Sequence, residues 1–366
     1  MSINIILSAT KVHDTLKSRD DSFDVLRGVA IIAVIAIHAT TMELVEPNTK
    51  NSFTNLYFLL MIRQCYNFAV PSFLFVSGFF IGRRSQPDVE NYGRFLLRRL
   101  KQVLVPYFVW SLSLLAYGAV RTGEFSSVSW LRLLVTGQVM GHFYFPLLIA
   151  QFYILTPVIK RLILSLRIGF LILLLLNGAY LSWLYFLRYS FGVEPNFAIT
   201  ALPFISWLFF FSFGILVGGN QRVLRWLEQR VLLWLALSLL GVFMQWAEAI
   251  IAIKLFDQPG GAASALKFSS FFYSFALLSA FIGIRNIGLP ANSLLIFTGR
   301  NSYAIYLAHG LILTKVYWAL YGFGLSVLSV PERHIIIVAS TFIACLAFVT
   351  FVRGVCGKRI SSILIG

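Results

Sequence analysis

Cysteine is scarce in this 366-residue sequence, and the three that occur lie in or beside apolar segments: Cys65, Cys345 and Cys356. Their number and spacing indicate neither a disulfide framework nor a zinc site, and we expect no metal ion. No stretch rich in proline, glycine or serine divides the chain, so we expect a single domain. An internal repeat is also lacking, which disfavours a transporter built from two inverted halves.

Charged residues are scarce as well: they make up 12% of the sequence, whereas hydrophobic residues make up 58% and the mean hydropathy is +0.82. The apolar residues recur in blocks long enough to cross a bilayer as helices. The composition therefore predicts an all-α, polytopic membrane protein with about ten transmembrane helices. The predicted helices cover residues 23–43, 56–82, 100–120, 142–164, 167–187, 200–218, 231–253, 268–284, 296–320 and 334–352.

Acidic residues are outnumbered, because 14 Asp and Glu stand against 30 Lys and Arg, for a net charge of +16. Such a charge can serve nucleic-acid binding, but its distribution indicates membrane topology instead. Twenty basic residues fall in alternate loops or at the helix ends beside them, and seven in the opposite loops. Basic loops stay in the cytoplasm, so we expect both termini to be cytoplasmic, the lipid bilayer as partner and no nucleic acid. Residues 1–22 form a polar cytoplasmic lead, 23–355 the membrane domain and 356–366 a short cytoplasmic tail.

The first predicted helix carries two ionisable residues inside the bilayer, Arg27 and His38, in the segment FDVLRGVAIIAVIAIHAT. Charges there cost about 2.5–3.5 kcal/mol on insertion scales, so an intramembrane arginine indicates a functional site. At about 100° and 1.5 Å per residue, the helix brings both residues onto one face, roughly 16 Å apart along its axis. Asp24, one turn before Arg27, is placed to form an i,i+3 ion pair with it.

The densest basic segment follows the second predicted helix. It reads GRRSQPDVENYGRFLLRRLKQVLVPYFVW and contains Arg83, Arg84, Arg94, Arg98, Arg99 and Lys101. Taken alone, the segment is typical of an orientation signal that also attracts anionic lipid headgroups. The alternative is a phosphate site, because arginine side chains bind phosphate oxygens in pairs and Arg98 and Arg99 open a helix at the membrane boundary.

Four segments together resemble the integral-membrane acyltransferase 3 family. DVLRGVA at residues 24–30, with His38 after it, is similar to the first-helix signature of the family. FLFVSGFFIG at residues 73–82 resembles its aromatic run ending in Ser-Gly, and FLLRRLKQVLVPYFVW at residues 95–110 its basic loop and Pro-aromatic helix. NSYAIYLAHG at residues 301–310 is similar to its Ser-Tyr and Tyr-Leu-x-His segment. The resemblance runs from about residue 20 to 355.

The resemblance implies a bacterial inner-membrane O-acyltransferase. Its expected donor is cytoplasmic acetyl-CoA, and its expected acceptor is a hydroxyl of a cell-surface polysaccharide, a lipopolysaccharide or a lipid-linked saccharide. Some members carry a hydrolase-like extracytoplasmic domain after the helices, and we expect none here. Either the membrane domain transfers directly to the acceptor, or a separate glycan-synthesis protein receives the acyl group.

The resemblance also implies roles for single residues. The phosphates of coenzyme A would rest against a set of arginines with Arg27 at the entrance: Arg94, Arg98 and Arg99. His38 would act as general base, or as the nucleophile of a covalent acyl-imidazole. Residues of the other family-like segments are expected to support the site: Ser77, Tyr303, Tyr306 and His309.

Three polar residues of the outer half of the bundle are expected to meet: His38, Arg63 and Glu248. Glu248 would orient His38, and Arg63 would stabilise an oxyanion. Alternatively, Arg63 and Glu248 form a buried ion pair or reach to the interface without a catalytic part.

The other histidines of the predicted helices and outer loops have structural alternatives. His309 can support the site or can equally hydrogen-bond across helices. His142 is expected in an interfacial aromatic belt, with contact to an acceptor sugar as the alternative, and His334 is expected to be solvated. Two rival functions remain: a transporter or lipid flippase, in which the same ionisable residues line the path, and a noncatalytic subunit of a glycan-synthesis complex.

Overall fold

The computed structural model describes residues 21–46, 52–84, 89–123, 126–166, 168–287 and 292–366. Most of the predicted polar lead therefore lies outside the described residues. The regular structure of the described residues is entirely helical, as expected where the bilayer offers the backbone no water to hydrogen-bond. The helices are α1 Asp21–Leu44, α2 Phe53–Gln64, α3 Ala69–Arg83, α4 Val89–Thr122, α5 Ser127–Thr136, α6 Tyr144–Ser165, α7 Gly169–Tyr185, α8 Phe197–Thr200, α9 Leu208–Gly219, α10 Gln221–Glu228, α11 Val231–Phe256, α12 Pro259–Ala263, α13 Phe268–Ile287, α14 Ser293–Arg300, α15 Ser302–Gly322, α16 Val330–Val355 and α17 Lys358–Ile365.

Eight helical segments of the described chain are long and apolar enough to cross a membrane. A ninth span is obtained if two consecutive pieces are counted as one. These pieces are the segment that ends with α9, and α10, which follows it at an angle of 100°. The prediction of an all-α, polytopic membrane protein is confirmed. Ten spans were predicted, and the difference lies in residues 296–320, which the structure divides at Asn301 into α14 and α15. Helix α15, which contains the polar His309 and Lys315, is not among the segments counted as spans.

Helix α1 packs against α3, α14, α15 and α16 and is therefore central to the bundle. Its buried residues include four alanines at intervals of three, Ala30, Ala33, Ala36 and Ala39. Small residues at such intervals let neighbouring backbones approach closely, which is how helices associate in membranes without a hydrophobic driving force. The ionisable residues of α1 are thus carried by a helix that other helices of the bundle cover on several sides.

Helices α3 and α9 approach so closely that glycine is required on both. A Cβ atom at Gly214 would lie 2.2 Å from the carbonyl oxygen of Phe75, and one at Gly78 would lie 2.2 Å from that of Phe211. These are backbone atoms of helices, which cannot rotate away as a flexible side chain can. The contact therefore fixes the position of α3 in the bundle.

Replacing Gly214 by valine is expected to destabilise the protein by about 3 kcal/mol or more, because overpacking costs about 1–3 kcal/mol even where neighbours can yield. The measurement is the apparent unfolding temperature in detergent, together with the fraction that elutes as a single species. Gly118→Val is the matched control, because a Cβ atom there meets nothing within 4 Å. Equal unfolding temperatures for the two variants would contradict the close contact of α3 and α9.

Candidate active site

Two adjoining cavities lie inside the bundle, and α1 lines both. The first has a volume of about 310 Å³, and we call it the histidine cavity. Its charged and histidine lining residues are His38, Arg63, His142, Arg188 and Glu194. The second has a volume of about 180 Å³, and we call it the arginine cavity. Its polar lining includes Arg27, Ser77, Tyr153, Ser302, Tyr303 and Tyr306. Phe73, Phe145 and Tyr306 line both cavities and form their shared wall.

Three imidazole rings converge beside the histidine cavity, and we call them the histidine cluster: His38 of α1, His142 of the loop before α6, and His309 of α15. The ring centroid of His38 lies 5.4 Å from that of His142 and 5.2 Å from that of His309. The ring centroids of His142 and His309 are 4.2 Å apart. One nitrogen of each ring lies within 4.8 Å of the other two. The three residues are distant in sequence, so only the fold brings them together.

Tyr306 holds two members of the histidine cluster. The Nδ1 atom of His309 lies 2.6 Å from the carbonyl oxygen of Tyr306, so Nδ1–H donates and Nε2 carries the lone pair. The Tyr306 hydroxyl donates to the carbonyl oxygen of His142. Among the described residues, the buried Nε2 atoms of His142 and His309 have no hydrogen-bond partner.

His142 is 4% exposed, which corrects the prediction of an interfacial aromatic residue. The loop that carries it turns into the bundle after Gly137, whose φ of 67° is left-handed. Room for its ring exists because Gly310 lacks a side chain, since a Cβ atom there would lie 2.3 Å from Cε1 of His142. Burial, together with the neighbouring imidazoles of His309 and His38, lowers the pKa of His142 well below its usual value, so the ring is neutral at pH 7.

Arg63 is held against α1 next to His38. Its Nη1 donates to the carbonyl oxygen of Ile37 at 2.7 Å and to the hydroxyl of Thr41 at 2.8 Å, and its Nε donates to the carbonyl oxygen of Ala263 at 3.0 Å. None of these hydrogen bonds uses Nη2. Arg63 and His38 therefore lie near each other, and both line the histidine cavity.

Glu248, the third predicted member of that neighbourhood, contacts neither of them. Its carboxylate accepts hydrogen bonds from the hydroxyl of Tyr185 and from the backbone N–H of Ser269, the latter at 3.3 Å. The prediction used depth along each helix, and depth does not fix which way a helix faces. The predicted ion pair with Arg63 is likewise replaced by the backbone and hydroxyl contacts of Arg63.

Arg27 lines the arginine cavity, and the predicted ion pair with Asp24 is present at 2.9 Å. Asp24 is buried and also accepts from Nε of Arg300 at 3.3 Å, which ties α1 to α14. The two helices touch through glycine, because a Cβ atom at Gly28 would lie 2.4 Å from the carbonyl oxygen of Leu295. The Arg27 guanidinium is therefore positioned by a buried carboxylate on a closely packed helix pair.

A family model described as an acyltransferase domain, acyltransferase 3, matches residues 20–351. The chain belongs to that family. It is similar to a Bacillus subtilis protein named as the membrane-bound acyltransferase YfiQ, 25% identical over 328 residues, which are 84% of this chain and 83% of the relative. It is also similar to a Staphylococcus aureus protein named as a poly-β-1,6-N-acetyl-D-glucosamine export protein, 26% identical over 80% of this chain and 82% of the relative. No solved structure matches the chain.

The basic segment of this acyltransferase reaches the arginine cavity through Arg99. The Arg99 guanidinium lies 5.7 Å from the ring centroid of Phe95 and 6.0 Å from that of Tyr153, and Tyr153 lines the cavity. Arg94 and Arg98 are exposed and do not line it. The Arg84 guanidinium lies 5.5 Å from the ring centroid of Phe95 as well. Burial and the nearby charges of Arg99 and Arg98 lower the pKa of Arg84.

The residues of the other family-like segments also lie at the two cavities. Ser77, Tyr303 and Tyr306 line the arginine cavity, and the Tyr303 hydroxyl donates to the carbonyl oxygen of Val103. His309 belongs to the histidine cluster. His334, which was expected to be solvated, is instead buried, with Nδ1 2.7 Å from Oε2 of Glu43.

Two residues of the histidine cavity were missed in the sequence. Arg188 and Glu194 form an ion pair at 3.1 Å, in which Arg188 is buried and Glu194 is 51% exposed. Arg188 lies in a π-helical turn, Phe186–Ser190, and such turns are frequent at functional sites. That turn could not be recognised from the sequence, because five residues make only about one turn and are too few to show a repeat in hydrophobicity.

The arrangement can support a reaction between two substrates. Neutral imidazoles can accept a proton, and the Arg63 guanidinium can donate to an oxyanion in the same cavity. The arginine cavity offers guanidinium groups and aromatic rings to an anionic partner. The wall shared by the two cavities is where the two partners would meet.

Proposed function

We propose that this acyltransferase moves an acyl group, acetyl in the first instance, from acetyl-CoA to a hydroxyl of a polysaccharide, lipopolysaccharide or lipid-linked saccharide. The observation that carries the proposal is the placement of Arg27 and His38 on one helix, each lining one of two adjoining cavities. The reaction needs an anion-binding site for the donor and a base for the acceptor. The distance between the anion-binding site and the base must also be one that the pantetheine arm of the donor can span.

The donor side is proposed to be the arginine cavity. Arg27 and Arg99 would bind phosphate oxygens of acetyl-CoA, because guanidinium groups form paired, charge-assisted hydrogen bonds with phosphate. The arm would pass Ser77 and reach the wall formed by Phe73 and Phe145. From Arg27 to His38 the helix rises by roughly 16 Å, which the extended arm can span.

The chemistry is proposed to occur at His38. Its imidazole takes the proton of the acceptor hydroxyl as the hydroxyl oxygen attacks the thioester carbonyl carbon. The Nη2 donors of Arg63 stabilise the oxyanion. The C–S bond then breaks, the ester remains on the acceptor, and the proton passes from His38 to the departing thiolate. The balance is one thioester and one hydroxyl consumed, and one ester and one thiol formed.

The acceptor is proposed to enter the histidine cavity past Arg188 and Glu194. Their charged groups suit the hydroxyls of a saccharide, and the half-exposed Glu194 shows that solvent reaches this part of the cavity. The arrangement supports a donor from the cytoplasm and an acceptor on the other side of a bacterial inner membrane. A separate glycan-synthesis protein as recipient of the acyl group is the second form of the same proposal.

The test is the amount of ester-linked acetate on surface saccharides, released by mild alkali, in cells that lack the protein and in cells that regain it. The wild type is expected to restore the acetate. Arg27→Ala is expected to raise the KM for acetyl-CoA in membrane vesicles by about tenfold or more, because a hydrogen bond to a charged group contributes about 1.5–3 kcal/mol. Arg121→Ala removes an exposed arginine of α4 and is the matched control.

Export of a saccharide is a second candidate function, favoured by the name of the staphylococcal relatives. Membrane vesicles that accumulate saccharide without consuming acetyl-CoA would support export and remove the transferase. If neither the acetate nor another acyl group changes in any strain, the transferase is removed as well. If the deletion loses the acetate and both His38→Ala and Arg27→Ala restore it, the protein is a noncatalytic subunit.

A further inference from the structure

The histidine cluster leaves ring nitrogens without partners in an enclosed place. The Nε2 atoms of His142 and His309 are buried and, within the described residues, accept no hydrogen bond. Buried polar atoms in proteins are almost always hydrogen-bonded or bound to an ion. His142 and His309 each hold such an atom, their ring centroids are 4.2 Å apart, and the ring centroid of His38 lies 5.2 Å from that of His309. This grouping indicates a ligand that accepts lone pairs from all three rings.

The distances between the rings suit a metal ion of the size of zinc. One nitrogen of each ring lies within 4.8 Å of the other two. Zinc–nitrogen bonds of about 2.0–2.1 Å in tetrahedral geometry hold the nitrogens about 3.4 Å apart. The rings thus need to approach by about 1.4 Å at most, which rotations about the side-chain bonds can supply.

The hydrogen bonds around the cluster are also those of a metal site. Histidine ligands usually donate their second ring nitrogen to a carboxylate or a backbone carbonyl, which fixes the tautomer and aims the lone pair. His309 has this arrangement, since its Nδ1 lies 2.6 Å from the carbonyl oxygen of Tyr306. Tyr306 also binds the backbone of His142 through its hydroxyl, so one residue positions two of the three rings.

We propose that His38, His142 and His309 bind one divalent zinc ion, with a fourth coordination position open to the histidine cavity. Three neutral imidazoles are ligands that zinc prefers, and three protein ligands with one open position are typical of catalytic zinc. Arg63 lines the same cavity and adds positive charge, which favours an anionic oxygen in the open position. The sequence could not indicate the site, because the ligands come from three separate segments.

The function of the ion rests on the proposed function, whereas its binding does not. Bound at the open position, the acceptor hydroxyl loses its proton to solvent more readily. The resulting oxygen attacks the thioester carbon, the C–S bond breaks, and the thiolate takes a proton from solvent. In this form of the proposed function the ion activates the hydroxyl, and the proton does not pass through His38, which is a zinc ligand; the donor site and the ester formed are unchanged.

The experiment measures metal on the purified, full-length protein carrying a tag without histidine, prepared without chelator. Mass-spectrometric metal analysis is expected to find about one zinc per chain, and Co²⁺ added after zinc removal is expected to give the visible absorption of tetrahedral cobalt. Zinc content of His142→Ala and His309→Ala is expected to fall about tenfold or more, because a ligand is lost. His13→Ala, outside the described residues, is the control and is expected to keep the ion.

His142→Cys decides the matter if the alanine variants fail to fold. It retains a ligand, so it is expected to bind Co²⁺ with an added thiolate-to-metal absorption that a structural role for His142 would not produce. Absence of zinc and of cobalt uptake in the wild type would overturn the proposal, as would equal metal content in His309→Ala. Acetyl transfer without metal would leave the proposed function standing with His38 as free base. Metal binding without acetyl transfer would support the zinc site and remove the proposed function.

Discussion

Replacement of His38 by glutamine is expected to lower the rate of acetyl transfer by about 10²–10⁴-fold, the usual contribution of a positioned acid–base group. Glutamine retains a polar side chain of similar reach but neither takes up a proton at neutral pH nor binds zinc well. The KM for acetyl-CoA is expected to stay within about twofold of wild type, because the donor contacts belong to the arginine cavity. The measurement is transfer of radiolabelled acetyl groups to alkali-labile saccharide in inside-out membrane vesicles.

The control for this prediction is His13→Gln, which removes a histidine outside the described residues and is expected to transfer at the wild-type rate. Both variants must reach the membrane in equal amounts and unfold at the same temperature as the wild type. A His38→Gln variant with full activity would remove His38 from the chemistry. The same variant with a changed KM and an unchanged maximal rate would assign it to binding alone.

The part of the site that lies on one helix could be predicted from the sequence. Arg27, His38 and Asp24 share α1, and regular helix geometry fixes their relative positions to within a few degrees and a fraction of a turn. The ion pair of Asp24 with Arg27 is accordingly found where the spacing indicated it. The segments that carry the family resemblance contain Ser77, Tyr303 and Tyr306, and these residues line the arginine cavity. Their part in the reaction stays a prediction.

Contacts between helices could not be predicted in the same way. Glu248 was assigned to His38 from its depth, but the rotation and tilt of α11 turn its carboxylate to Tyr185 and Ser269. Conversely, His142 was expected at the interface, because nothing local shows that its loop folds into the bundle. Its enclosure depends on the missing side chain of Gly310, a residue more than 160 positions away.

The same reasoning explains why the number of spans differs from the prediction. Hydropathy measures whether a segment tolerates lipid, whereas a site inside the bundle needs polar residues on the helices that surround it. Helix α15 carries Tyr303, Tyr306 and His309 toward the two cavities, and these residues lower its apolar character. The helix that is hardest to recognise as a span is therefore one that builds the site.

Replacement of Ser77 by tryptophan is expected to reduce acetyl transfer by about 10²-fold or more. Ser77 lines the arginine cavity, whose volume is about 180 Å³, and the indole would occupy much of the space between Arg27 and the shared wall. Displacing a reacting group by even about 1 Å can lower the reaction rate roughly 10²-fold. A donor arm that is only partly obstructed is therefore also expected to react slowly. The measurement is the same vesicle assay, with acetyl-CoA varied.

The matched control is Ser77→Ala, which leaves the cavity open and is expected to transfer at close to the wild-type rate. An alanine variant as inactive as the tryptophan variant would assign the effect to the lost hydroxyl rather than to obstruction. A tryptophan variant that folds normally and transfers at the wild-type rate would show that the donor does not pass Ser77. The donor would then have to reach His38 through the histidine cavity, and Arg27 would lose its proposed part in binding phosphate.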